Sequence, residues 1–210
     1  MLDLNIETIS YRKKIILKDI KISILQFGLY GFFGKNGEGK TTFLKSLCDL
    51  VSYKGEILFC ENILKPSTVA WIPTETDVYD YLTIDEFHKF YRLSSRNHNS
   101  SEKKIFELDK NKLLKECSTG TKKKAYIDAV LQFSDYSLYI FDEPFNGLDI
   151  ESNYILLNHI IELSKHNIVF ISSHIIELVE PYLDKKYIVK NQTIQEVTKL
   201  QGLKSFFIDA

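Results

Sequence analysis

The sequence predicts an α/β protein: a mainly parallel sheet covered by helices on both faces. Three observations carry that prediction. Short, predominantly apolar runs such as FGLYGFF, SLYIFD and NIVFIS read as buried strands, and stretches with helical spacing follow them. A glycine-bearing stretch from Gly34 to Thr41 separates the first of these runs from its helix. The 210 residues carry 44% hydrophobic and 26% charged side chains, which suits one domain with a real core and room for a small lobe.

The elements follow in order. LDLNIETI and KISIL alternate apolar and polar residues as strands do, with the basic turn YRKK between them. FGLYGFF is short enough for a buried strand, and TTFLKSLCDL has helical spacing. GEILF and VAWI are short strand candidates. Thr83 with Glu86 three residues on forms a capping box that starts a helix through IDEFHKFYRL. SSRNHNSSEKK is polar and loop-like. Helices are expected over about residues 119–133 and 151–164, and a short one through HIIELVE, ended by Pro181. KKYIVK reads as the last strand. There is no internal repeat, heptad run or low-complexity tract.

The net charge of −1 gives no global reason to bind nucleic acid or anionic lipid. Cys48, Cys60 and Cys117 show neither a CxxC nor a zinc spacing, which fits a reduced, cytosolic setting. MLDLNIETIS reads as a strand, not a signal peptide. No window approaches ~18 uninterrupted apolar residues, so any membrane-spanning part is expected from another chain.

Gly34-Lys35-Asn36-Gly37-Glu38-Gly39-Lys40-Thr41 matches G-x-x-x-x-G-K-[ST] in full, and Thr42 follows it. Glycines let backbone N–H groups turn inward around phosphate oxygens, and the following helix adds its positive end. Lys40 reaches phosphate, and the Thr41 hydroxyl can ligate Mg²⁺. This cradle alone leaves kinases, GTPases and motor ATPases open. LYIFDEP narrows the choice: an apolar strand ends in Asp142, suited to hold Mg²⁺ through water, and Glu143, suited to polarise an attacking water.

Glu143 after Asp142, followed by Pro144 and Asn146-Gly147-Leu148-Asp149, resembles the Walker B and D-loop of ABC-family ATPases. GKNGEGKTT is similar to that family's P-loop, and Ser172-Ser173-His174 to its switch histidine. Cys117-Ser118-Thr119-Gly120-Thr121 occupies the place of the LSGGQ signature, and Tyr11 that of the adenine-stacking aromatic. The motifs run in order from Tyr11 to about Lys190, nearly the whole chain.

The resemblance implies a P-loop core with a small antiparallel β lobe and a compact inserted helical lobe at about residues 73–116, within a single domain 1–210. It implies ATP and Mg²⁺ held between the P-loop of one copy and Ser118, Thr119, Gly120, Thr121 and Asp149 of another, in a homodimer or in a pair with a paralogue. Glu143 would be general base or water-orienting group, His174 a γ-phosphate sensor, and Thr41, Asp142 and Thr74 the metal's neighbours. A specific role of Lys122-Lys123-Lys124 toward the second subunit's γ-phosphate competes with a plain solvated charge run. His88, His98, His159 and His166 are read as surface or half-buried residues without a catalytic role.

The chain departs from the family pattern in three places. Thr74 stands where Gln is usual, reaching metal only through water, with Glu75 as the alternative. Cys117, Thr119 and Thr121 replace signature residues in a form closer to export ATPases. The segment from Thr83 to Glu116 is shorter than the usual helical lobe, which suggests a minimal permease. The expected function is the ATP-binding, ATP-hydrolysing subunit of an exporter. It would be cytoplasmic, peripheral on the membrane's cytoplasmic face, with a separate permease and no nucleic acid. The competing classes are a soluble ABC ATPase of iron–sulfur assembly or translation, and a non-ABC P-loop kinase or GTPase. The latter lacks a reason for SSH, and no NKxD motif is visible.

Overall fold

The computed structural model describes residues 1–94 and 104–197. β1 (Leu2–Tyr11) pairs antiparallel with β2 (Lys14–Ile24) on one side and β4 (Tyr53–Phe59) on the other, and β5 (Asn62–Ile63) closes that sheet. The second sheet is built from β3 (Gly28–Phe33), β6 (Val69–Ile72), β7 (Leu138–Asp142), β8 (Ile168–Ser172), β9 (Lys185–Lys190) and β10 (Thr193–Val197). Its order is β10-β9-β3-β8-β7-β6, parallel except for β10. The helices are α1 (Lys40–Ser46), α2 (Ile84–Ser94), α3 (Thr119–Leu131), α4 (Ile150–Ser164) and α5 (Ile176–Val179). This is the α/β core with an antiparallel β lobe that the sequence predicts.

Strand periodicity explains why the central sheet is covered on both sides. β3, β7 and β8 are buried at every position, and neighbouring residues face opposite ways. Tyr30, Phe32, Ile140 and Phe170 join Phe43 of α1 and the inner face of the β lobe in one core. Leu29, Phe33, Tyr139, Phe141, Val169 and Ile171 pack against Ile127 of α3 and Leu156 and Ile160 of α4 in another. The Phe32 ring stacks on Tyr187 at 4.9 Å and meets Phe170 at 4.7 Å, which ties β3, β8 and β9 together.

A third, smaller core joins Ile84 and Phe87 of α2 to Leu114, Cys117 and to Ala125 and Ala129 of α3. The expected capping box opens α2: the Thr83 N–H donates to Glu86 Oε2 at 2.8 Å, and the Glu86 N–H donates to Thr83 Oγ1 at 3.2 Å. His88 corrects its sequence reading. It is 2% exposed and bonds the Ala125 carbonyl through Nε2 at 3.0 Å, so it fastens α2 to α3. Burial holds its pKa below the ordinary histidine value. His159 is half-buried and His166 exposed, and His98 lies outside the described residues.

Other differences concern element ends. β2 begins seven residues before KISIL, at Lys14. α1 stops at Ser46, short of the expected CDL. α5 ends at Val179, and Pro181 sits inside a following 3-10 turn over Glu180–Tyr182 instead of ending the helix. KKYIVK is not the last strand, because β10 follows it. Arg12–Lys13, Cys60–Glu61 and Asn191–Gln192 are each two-residue hairpin turns with positive φ at both positions. Such turns favour Asn and Gly, and none of these holds a Gly, so the signal for β5 and β10 is weak.

Candidate functional site

Parallel strands bring their carboxyl ends to one edge of the sheet, and ligands of open α/β sheets bind there. β3 runs out into the Gly34–Gly39 loop, β6 into Pro73 and Thr74, β7 ends at Asp142, and β8 ends at Ser172 directly beside it in register. A cavity of about 470 Å³ opens at this edge. Asn36, Gly37, Gly39, Lys40, Thr41, Thr42, Thr74, Glu143, Asn146 and His174 line it, with Ile16 of β2 as an apolar wall.

Gly39 caps α1 at φ 104, a backbone state costly for side chains, and a Cβ there would meet Ile16 at 2.8 Å. Lys40 folds back on the loop it ends: its ammonium donates to the Gly34 carbonyl at 2.7 Å and the Lys35 carbonyl at 3.3 Å. Burial pushes that ammonium below the ordinary lysine value, while Glu143, Asp142 and Glu38 pull it back up.

Asp142 is fully buried and collects three hydroxyls. Oδ2 accepts from Thr41 at 2.7 Å and from Thr74 at 3.0 Å, and Oδ1 accepts from Ser172 at 2.6 Å. Thr74 therefore reaches this carboxylate directly, on the same oxygen as Thr41. Glu75, the alternative to Thr74, is exposed and does not line the cavity. The hydroxyls of Thr41 and Thr74 and the Asp142 carboxylate form a hard, all-oxygen donor set. That set suits Mg²⁺, which takes one or two carboxylates and leaves positions for phosphate and water.

Glu143 sits at φ 50, a left-handed conformation rare outside glycine. Its own N–H donates to Ser172 Oγ at 3.0 Å, and its Oε2 accepts the His174 N–H at 2.9 Å. Oε1 is buried with no hydrogen-bond donor among the described residues, although His174 Nε2 stands 3.3 Å away. Burial pushes the carboxyl above the ordinary glutamate value and Asp142 adds to that rise, whereas His174 and Lys40 oppose it. A buried carboxylate with one free oxygen and a raised pKa is equipped to accept a proton from water. The His174 side chain is half exposed and faces the same opening.

Several sequence candidates lie apart from this cavity. Ser118 caps α3 by accepting the Thr121 N–H at 3.1 Å, and Ser118 and Thr119 are exposed. Asp149 caps α4 through the Ser152 N–H at 2.8 Å and pairs with Lys124 at 2.7 Å, which holds its carboxyl well below the usual range. Glu38 accepts the Asn191 N–H at 3.0 Å, which ties the glycine loop to the β9–β10 turn. Lys35 is exposed, and Tyr11 is exposed at the end of β1 with the Arg12 guanidinium 5.5 Å over its ring.

Lys123 departs from the reading of a solvated charge run, and the lysines on either side of it are half-buried in ion pairs. Lys122 pairs with Asp80 at 2.5 Å, Lys124 pairs with Asp149, and Lys123 is buried against backbone carbonyls. Ser172 and Lys123 are the polar groups of this region whose parts in it the sequence does not announce. Ser172 could be found from its register opposite Asp142, but nothing local marks Lys123 as buried.

The family described as ABC transporter matches residues 17–146. The uncharacterized ABC transporter ATP-binding protein YxlF of Bacillus subtilis (strain 168) is 30% identical over 214 residues, covering 96% of this chain and 72% of that protein. Among solved structures, an ATP-binding subunit of an ABC transporter superposes with TM-score 0.86 at 22% identity, covering 100% of this chain and 98% of that one. A dimeric ATP-binding cassette in a post-hydrolysis state, bound to ADP and Pi, superposes with TM-score 0.80 at 18% identity. It covers 97% of this chain and 100% of that one. Both show the same fold.

Proposed function

The chain belongs to the ABC transporter ATP-binding family, and on that premise we propose that it is the ATP-hydrolysing subunit of an exporter, acting as a homodimer on a separate membrane permease. The observation that carries this reading is a site in two parts. Asn36, Gly37, Gly39, Lys40, Thr41, Thr42, Thr74, Glu143 and His174 line one cavity, and the buried Asp142 holds the Thr41 and Thr74 hydroxyls behind it. Ser118, Thr119, Gly120 and Thr121 stand outside it on the α3 start. A single copy therefore holds half of each site, and a second copy supplies the other half.

Bound beside Thr41, Thr74 and Asp142, Mg²⁺ would neutralise charge on the phosphates. Lys40 exchanges its bonds to Gly34 and Lys35 for phosphate oxygens. Glu143 takes or orients the proton of the attacking water with its free Oε1, and His174 holds that carboxylate and meets the γ-phosphate. Asn36, Gly37, Gly39 and Thr42 position the phosphates, and Tyr11 offers an exposed ring for adenine. Asp149 serves the second copy from the α4 cap.

Further support for a permease comes from the helical lobe. A groove of about 320 Å³ runs along α2 between Val78, Tyr79, Phe90 and Tyr91. Tyr79 at 57%, Tyr81 at 83% and Leu93 at 79% exposure give this region an apolar, aromatic surface. No helix of the described residues is long and apolar enough to cross a membrane, so the channel in this reading belongs to the partner. The export direction rests on the form of the signature from Cys117 to Thr121.

The test is Glu143→Gln in ATP–Mg²⁺. Light scattering should show a stable dimer that turns over at least ~100-fold more slowly than wild type. A protein that stays monomeric overturns the two-copy site. The same variant, used as bait in mild detergent, should bring down a polytopic membrane protein in near-equal amount. A soluble ribosomal or cofactor-assembly partner in its place would overturn transport.

A further inference from the structure

Lys123 is 4% exposed, yet it carries a charge at the start of a helix. Its ammonium donates to the carbonyls of Glu143 at 2.9 Å, Asn146 at 3.1 Å and Thr74 at 3.2 Å. An ammonium has three N–H donors, and three acceptors meet them from two separate loops. One of those carbonyls belongs to Glu143, the residue held at φ 50. Another belongs to Thr74, whose hydroxyl sits on Asp142.

The same helix turn touches the Glu143–Gly147 segment elsewhere. A Cβ on Gly120 would stand 2.6 Å from the Gly147 carbonyl, so backbone meets backbone there. On either side of Lys123, Lys122 pairs with Asp80 of the helical lobe and Lys124 with Asp149 at the α4 start. The central lysine alone reaches the turn that carries the catalytic carboxylate.

We propose that Lys123 is a positioning residue, a strut that makes the first turn of α3, the Glu143 turn and the Thr74 loop one rigid piece. This rests on the two-part site, because the α3 start carries Ser118 and Gly120, the segment offered to the second copy. Through Lys123, the carboxylate that acts in one site is fastened to the residues that complete the other. A shift of either is transmitted as a change of the other's geometry instead of being lost in a loose turn.

The experiment compares wild type with Lys123→Met, Lys123→Arg, Lys123→Gln and the neighbouring control Lys122→Met. Steady-state turnover is measured with the affinity for a fluorescent ATP analogue, well below each variant's melting temperature. Lys123→Met should lower kcat by at least about tenfold while KM and analogue affinity change less than about threefold, a transition-state effect rather than loss of binding. Lys123→Arg, which keeps the charge and has donors enough for the same carbonyls, should recover most of kcat. Lys122→Met should match wild type.

If Lys123→Met does not fold, Lys123→Gln is read in its place. Its amide has two N–H donors for three carbonyls, and it should also lose kcat. Hydrogen exchange over residues 142–149 of the nucleotide-free protein reads the strut without any turnover. It should quicken in the Met or Gln variant and stay slow in Arg. Unchanged exchange, or full kcat per folded molecule in Met or Gln, overturns the strut. Absence of turnover in wild type would instead sink the hydrolysis reading and leave the exchange result to decide this one.

Discussion

Thr74 shows how much one side chain can depend on its surroundings. A threonine in place of glutamine reads as a loss of reach, yet its hydroxyl lies 3.0 Å from Asp142 Oδ2. Thr74→Val keeps the shape and removes the donor. It should raise the Mg²⁺ needed for half-maximal turnover by about fivefold, the equivalent of the ~1 kcal/mol net value of one hydrogen bond. A Mg²⁺ titration of ATPase rate checks this, and an unchanged midpoint would remove Thr74 from the metal's surroundings. Ser172 is similar: its hydroxyl bonds Asp142 and also receives the Glu143 N–H, so it orients both acids at once.

At the scale of elements, the starts of α2 and α3 are built differently. α2 depends on its capping box, and Thr83→Ala should lower unfolding free energy by about 1 kcal/mol. Urea denaturation measures that loss. α3 depends on closeness: Gly120 lets its first turn lie against the Gly147 carbonyl. In Gly120→Ala the new methyl must push the turn away, which should cost roughly 1–3 kcal/mol. A calorimetric melt reads this cost, and a melting temperature equal to wild type would show that the contact yields freely. The helical lobe is legible at α2, where the capping box and apolar spacing agree. Its fastening is not, because His88 and Lys123 look like ordinary polar helix residues in sequence.

For the whole molecule, Asp128 makes stability depend on pH. It is 3% exposed, its Oδ1 accepts the N–H groups of Ile105 and Phe106, and its Oδ2 has no hydrogen-bond partner among the described residues. Burial raises its pKa from 3.8 to about 6. The folded state thus takes up the proton at a higher pH than the unfolded chain. Stability contributed by this group therefore rises as pH falls from about 6 toward 4. Asp128→Asn has no such titration. The melting temperature of wild type relative to Asp128→Asn should climb between pH 7 and pH 5, and parallel curves would contradict the burial argument.

The alternation of buried strands and helices, the glycine cradle before α1 and the acids at the end of β7 are all legible in the chain alone. Each is a local pattern, set by side-chain periodicity or by backbone chemistry within a few residues. β5 and β10 escaped because their hairpin turns, Cys60–Glu61 and Asn191–Gln192, reach positive φ without glycine. It took the folded chain to show that Thr41, Thr74 and Ser172 meet on one carboxylate, that Glu143 Oε1 lacks a hydrogen-bond donor among the described residues, and that Lys123 turns inward. Strand order and loop path bring together groups far apart in the chain. Whether a lysine is solvated or buried depends on which carbonyls arrive beside it.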